Sequence, residues 1–283
     1  MKPYHARSKK ITGFQADMHL QIKHTTQFHY DEPPAYGLLQ LRTSPISSSA
    51  QTVRTWKTDL TGAIEQARFI DQHGNQTALI EVMAGAQLLE LTVSGDVETH
   101  SQDGILGSHD CAMPLSYYRR QTQLTEPTDG LRALADTLTP ASEHSLSALH
   151  DLSALIREKV TYTSGQTTAT TTAGDALKNK TGVCQDHSHI FLSAVRQKGY
   201  CARYVSGYLH MDAQVFQEAS HAWAEVYLDG LGWVGFDISN GISPDERYVR
   251  IAQGLDYSDA APTKGLTLGA GEENLIVASQ VQQ

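Results

Sequence analysis

Cysteine is scarce in this chain: Cys111, Cys184 and Cys201 are all that 283 residues contain. They are too few and too scattered for a disulfide framework, so a reducing cytoplasm is the expected home. Basic residues are also in the minority, 22 Lys and Arg against 31 Asp and Glu, for a formal net charge of −9. No basic run extends beyond a doublet such as Lys9-Lys10. Generic binding to nucleic acid or to an anionic membrane, which wants a basic face, is therefore not expected. Long hydrophobic runs are missing as well. No stretch approaches the roughly 18 apolar residues of a membrane span, and residues 1–17 lack the apolar centre of a signal peptide. That segment is expected to be a disordered lead, with Met18 a candidate functional start. No repeat of fixed period occurs, and the one biased segment is the threonine-rich 167–172.

What is present is an ordinary globular composition, 40% apolar and 19% charged, able to bury a substantial core. The length favours two domains, because single cores rarely grow past about 250 residues. From His19 to Thr99 the pattern is β. Leu20, Ile22 and His24, then Thr26, Phe28 and Tyr30, alternate with polar neighbours. Short strands follow around Leu39/Leu41, Val53/Trp56/Leu60, Ala67–Ile70, Ala78–Val82, Leu88–Val93 and Val97–Thr99, with a turn at Asp71-Gln-His-Gly-Asn75. Such a series fits a β-sandwich.

Residues 102–127, punctuated by Gly104, Gly107, Pro114 and Pro127, read as a connector. Helical periodicity then places one helix over Leu131–Leu138 and another over Leu146–Val160. The polar stretch 162–173 is expected to be a mobile loop, and 174–178 a short helix. A longer helix begins at Cys184 and ends at Gly199, with one apolar stripe facing a core. Strands 201–209, 221–228 and 233–238 follow. Few periodic signals mark 244–265, and 266–281 is expected to supply one or two last strands. Helices before antiparallel strands make the class α+β. The expected layout is a lead over 1–17, an N-terminal β-sandwich-like domain over 18–115, a catalytic core over 116–262, and C-terminal strands over 263–283 returning to a sheet.

Cys184 sits in the first turn of its helix. Unpaired backbone N–H groups and the positive end of the helix dipole favour an anion there, hence the nucleophilic thiolate and, after attack, an oxyanion. Taken alone, the same residue reads more readily as a small buried side chain. Partners decide between the two. In Ser220–Leu228, strand alternation puts His221, Trp223, Glu225 and Tyr227 on one face; in Trp233–Asp237 it puts Trp233, Gly235 and Asp237 on one face. If these strands form a hairpin, His221 and Asp237 share a face only when the loop has an odd residue count or a bulge. With that register the carboxylate holds one imidazole nitrogen and leaves the other for the thiol, the logic of a nucleophilic triad.

Gly182-Val-Cys184-Gln-Asp-His, Ser220-His221-Ala-Trp-Ala-Glu-Val and Gly232-Trp-Val-Gly-Phe-Asp237 resemble, in order, the cysteine, histidine and aspartate motifs of the transglutaminase-like superfamily. His24–Tyr30 and Asp71–Asn75 resemble the N-terminal β domain of its bacterial members, and Asp245–Val249 with Gly254–Asp259 resemble their tail. The resemblance covers nearly the whole chain from Met18. It implies a papain-like core, no metal or other cofactor, and acyl-enzyme chemistry on an amide of a peptide or protein substrate. Cys184, His221 and Asp237 are the expected triad, and Tyr162, Gln185 and Trp223 are candidates for oxyanion or groove positions. Two departures stand out: Ile238-Ser239 in place of Pro-Thr, and His187-Ser188 where an aromatic and alanine are common.

Other readings carry less. Gly230-Leu-Gly232-Trp-Val-Gly235 satisfies a dinucleotide string but lies between two strands rather than before a helix, so a hairpin turn is expected. Cys184, His187 and His189 do not share one helix face, which argues against zinc. Asp186 is expected to cap neighbouring backbone. The favoured expectation is a cysteine peptidase or amidase. Amide transfer to an amine is the enzymatic alternative, and a binding or scaffolding protein that keeps the fold is the alternative of another class. Oligomeric state is left open by the sequence.

Overall fold

The structure, a computed structural model, describes residues 17–138, 140–141, 146–211, 216–217, 220–269 and 273–283. The expected disordered lead lies, but for Asp17, outside the described residues. Strands β1 (Met18–Tyr30), β2 (Tyr36–Ser44), β3 (Gln51–Thr61), β4 (Ala63–Ile70), β5 (Gln76–Val82) and β6 (Leu88–Thr99) open the chain. The alternation read for β1 holds along its length: Leu20, Ile22, His24, Thr26, Phe28 and Tyr30 are all buried. Residues 88–99 form one strand, not two. Gly95 keeps it continuous at its crossing with β3, where a Cβ would stand 2.2 Å from the Thr55 carbonyl oxygen.

The end of the chain completes the sandwich. Strands β15 (Thr263–Leu268) and β16 (Glu273–Gln282) pair antiparallel with β2 and β1 respectively. One sheet runs β16-β1-β6-β3 and the facing one β15-β2-β5-β4. Phe28, Leu89, Leu91 and Val93 from the first pack on Leu39, Leu41, Ile80 and Val82 from the second.

The connector contributes structure of its own. β7 (Ile105–Gly107) pairs with β13 (Gly232–Phe236) and so belongs to the second sheet. Helices α1 (Asp129–Ala135), α2 (Leu146–Lys159), α3 (Ala173–Asn179) and α4 (Cys184–Gln197) follow. Next come β10 (Ala202–Leu209), the two-residue β11 (Phe216–Gln217) and β12 (His221–Leu228); beyond β13 lie β14 (Tyr248–Gly254) and the short α5 (Tyr257–Ala260). Strand β14 falls in the segment with few periodic signals. The second sheet is antiparallel with order β14-β10-β12-β13-β7.

Helix α4 is more deeply buried than one apolar stripe requires. The polar side chains His187, Ser188, His189, Ser193 and Arg196 are inside along with Ile190, Phe191 and Val195, because α1, α2, α3, β10 and β12 all pack around it. Two of its buried polar side chains bond distant backbone: Arg196 donates to the Ala202 and Leu255 carbonyls, and His189 Nε2 accepts from the Tyr257 N–H.

Sandwich and helical core are one packed body. Leu20, Ile22, Val97 and Val281 join the same cluster as Leu131, Phe191 and Phe236. Two side-chain amides also seal the free edge of β14. Gln51 pairs with both the N–H and the carbonyl of Arg250, each at 2.9 Å, and Asn75 does the same for Gln253, each at 2.8 Å. An edge strand leaves such groups unpaired, and here amides from the β domain stand in for a neighbouring strand. The Asp71–Asn75 turn is built for this: Asp71 accepts from the His73 and Asn75 N–H groups and from Arg42, which holds Asn75 against β14.

Candidate active site

Helix α4 starts where the sequence places it. The Asp186 carboxylate accepts the Val183 N–H at 2.8 Å and the Thr167 hydroxyl at 2.7 Å. Asp186 therefore caps backbone, and burial pushes its carboxyl above the usual range. Gly182 makes the close approach possible, since a Cβ there would meet the Asp186 Cβ at 2.6 Å. The threonine-rich loop is accordingly tied down rather than mobile: Thr167 bonds Asp186, and the Gln185 side-chain amide donates to the Thr168 and Ala169 carbonyls. Cys184, 8% exposed, occupies the first helical position, where its own N–H belongs to the donors an α-helix leaves unpaired.

The hairpin has the odd loop the pattern demands. Leu228 pairs with Gly232, leaving Asp229, Gly230 and Leu231 as the turn, and Ala224 pairs with Phe236. Continuing that register sets Asp237 opposite Trp223 and diagonal to His221, on one face. The glycine-rich string is this turn. Gly230 and Gly232 have φ of +84° and +82°, and a Cβ on Gly232 would stand 1.9 Å from the Gly107 carbonyl oxygen.

His221 Nε2 lies 2.6 Å from Asp237 Oδ2, which leaves Nδ1 for the thiol, and Cys184 is within hydrogen-bonding reach of the ring. Burial opposes protonation of the imidazole, but the hydrogen bonds and charges of Asp237 and Cys184 outweigh it and raise His221 to about 10. Asp237 is fully buried, which by itself favours the neutral acid. Its bonds to His221, Asn240 and Tyr248 reverse that and hold the carboxyl below the usual range. Oδ2 accepts from the Asn240 amide and the Tyr248 hydroxyl, each at 2.7 Å, and Oδ1 from the Asn240 N–H at 3.1 Å. Asn240 and Tyr248 are contributors that pattern reasoning did not name. For Tyr248 the sole signal was its place in the tail motif, because β14 shows no clean alternation.

Cys184 and His221 open on a cavity of about 900 Å³, walled by Tyr162, Gln185, Tyr204, Leu209 and Tyr257 and, from the β domain's sheet, by Val277, Ala278 and Ser279. Tyr162 is half exposed on β8 (Thr161–Tyr162), which pairs parallel with β9 (Thr181–Gly182) ahead of the cysteine. Its phenol is pushed up to about 12 by burial and by the adjacent Cys184. Gln185 lines the cavity with its amide committed to the loop carbonyls. Trp223 does not line it. That ring is 2% exposed and packs edge-on against Tyr248 at 5.4 Å behind His221. Trp233 is likewise a core aromatic, with the Arg203 guanidinium 3.9 Å above its ring.

His187 and His189 do not converge with Cys184 on a metal position. His187 bonds Ser239 and the Val160 carbonyl, and His189 faces Tyr257. Elsewhere Asp17, Glu98 and His100 each bring one ligand atom within 4.8 Å of the others at a largely exposed spot where Arg54 already pairs with Glu98. No helix among the described residues is long and apolar enough to cross a membrane.

Residues 132–238 match the family model of the transglutaminase-like superfamily, and residues 20–98 match that of the bacterial transglutaminase-like N-terminal region. The uncharacterized protein ML0607 of Mycobacterium leprae is 30% identical over 274 residues, which cover 93% of this chain and 98% of that protein. The uncharacterized protein Rv2569c of Mycobacterium tuberculosis is 33% identical over 164 residues, 54% of this chain and 52% of that one. Among solved structures, a Cytophaga hutchinsonii protein described as a candidate cysteine protease superposes with a TM-score of 0.73 at 21% identity, over 95% of this chain and 93% of that one. That likeness establishes the shared fold.

Proposed function

The chain belongs to the transglutaminase-like superfamily, and from that premise we propose that it is a cysteine-dependent acyl-transfer enzyme that hydrolyses peptide or carboxamide bonds. The observation that carries the reading is the 2.6 Å contact of His221 with a buried Asp237, at the mouth of the cavity that also holds Cys184. In this reading His221, oriented by Asp237, takes the proton of Cys184 and so generates the thiolate. The thiolate attacks the carbonyl carbon and forms a C–S bond. The tetrahedral oxyanion is held by the Cys184 N–H and the Tyr162 hydroxyl. Collapse breaks the C–N bond as His221 hands its proton to the departing amine. Water, deprotonated by His221, then cleaves the thioester and releases the acid. Peptides or proteins are the proposed substrates and the cytoplasm the proposed location.

Incubation with a glutamine-containing peptide and a fluorescent amine tests the choice of acceptor. Hydrolysis is expected to outrun amine incorporation; the reverse result assigns the protein to amide transfer. Labelling of Cys184 by iodoacetamide no faster than a model thiol at neutral pH would leave the binding or scaffolding reading instead.

A further inference from the structure

The two departures from the family pattern, His187 and Ser239, meet in space. His187 Nδ1 lies 2.8 Å from Ser239 Oγ, and His187 Nε2 lies 3.0 Å from the Val160 carbonyl oxygen. A carbonyl only accepts, so Nε2 carries the proton in the neutral ring; Nδ1 is then a lone pair, and the Ser239 hydroxyl donates to it. The ring is 1% exposed and also meets the Tyr162 ring, edge to face, at 6.1 Å between centroids. One imidazole thus links three segments of the site. It stands one helical turn after Cys184, bonds the residue that leads into the Tyr162 strand, and holds the residue before Asn240, which fixes Asp237 through two hydrogen bonds.

Resting on the catalytic reading above, we propose that His187 is a positioning residue: with Ser239 it keeps the nucleophile helix, the Tyr162 strand and the Asp237 turn in one register. It touches no substrate atom in this scheme and acts through Ser239 and the backbone. Protonation removes the acceptor at Nδ1 and breaks the link. The groups acting on the ring are Asp186 on its own helix, Asp237 and Ser239 on the turn, Arg157 on α2, and Val160 and Tyr162 at β8. Burial lowers His187 from its ordinary value against the opposing pull of the Val160 carbonyl and the two aspartates. The link is therefore complete above the ordinary histidine range and is lost as pH falls below it.

The test compares His187→Phe, which keeps the volume, His187→Gln, whose amide can donate to Val160 and accept from Ser239, Ser239→Ala, and the Phe/Ala double variant. Peptide turnover and the pH dependence of Cys184 alkylation by iodoacetamide are measured with Tm for each. Ser239→Ala and His187→Phe are each expected to lower kcat about fivefold to tenfold with KM within about twofold, the double variant to be no worse than His187→Phe, and His187→Gln to recover most of the loss. The acid limb attributed to His187 should vanish from the alkylation profile in His187→Phe. Rapid alkylation of wild-type Cys184 that neither single variant changes, or additive losses in the double variant, overturns this inference alone. Slow alkylation of the wild type overturns the catalytic reading and this inference with it.

Discussion

At the scale of single residues, the polarity of the site follows from who is buried beside whom. Asp237 would be a neutral acid in its enclosure if its oxygens were unpaired; the bonds from His221, Asn240 and Tyr248 keep it charged. A charged Asp237 and the neighbouring thiol then raise His221 to about 10, so its protonated form persists through neutrality. For a histidine whose folded value exceeds its free value, the stabilisation is complete below the free value and is lost as pH rises through the folded one. Turnover is accordingly expected to have an alkaline limb toward pH 10. Asp237→Asn should move that limb toward neutrality and lower kcat by about 10²–10⁴-fold. A pH–rate profile unchanged by Asp237→Asn would remove the aspartate from the site. Cys184, His221 and Asp237 could be picked out in the sequence because each sits in a local motif of its own; Asn240 and Tyr248 could not, since their partner is fixed by the path of the chain.

At the scale of elements, Cys184 is placed by a helix start and His221 by a hairpin register. The helix start depends on Gly182, the capping oxygen of Asp186 and the Thr167 loop acting together. Gly182→Ala forces a methyl group onto Asp186. It is expected to cost roughly 1–3 kcal/mol in stability and to slow alkylation of Cys184 in the folded protein, as read by Tm and labelling rate. A variant as stable and as reactive as wild type would show that the cap does not set the thiol's position. The hairpin register could be deduced before any coordinates, because strand alternation admits only an odd loop or a bulge if His221 and Asp237 are to face the same way. The firm attachment of the threonine-rich loop could not be deduced. Polar composition is the same for a solvated loop and for one whose hydroxyls bond a buried carboxylate.

At the scale of the molecule, the β domain is built into the helical core rather than appended to it. It seals β14 with Gln51 and Asn75, contributes Leu20, Ile22, Val97 and Val281 to the central cluster, and lends Val277, Ala278 and Ser279 to the cavity wall. Thermal unfolding is therefore expected to be one cooperative transition. Asn75→Ala, which strips Gln253 and Asp71 of partners, should lower its midpoint by roughly 3–5 °C, from about 2–3 kcal/mol of lost buried hydrogen bonding. Two separated transitions in calorimetry would contradict a single cooperative body.

The α+β class, the strand alternation of β1, the start and end of α4, and the odd loop that lets His221 and Asp237 share a face are all legible in the residues. All of these depend on short-range periodicity and turn chemistry, which neighbouring residues carry among themselves. Packing alone puts Trp223 behind the histidine instead of in the groove, brings β7 into the second sheet, lets Tyr248 reach Asp237 and sets His187 against Ser239. Each of those depends on segments distant in the chain being brought together, and which of them meet is set by how sheets and helices pack, something no local pattern encodes.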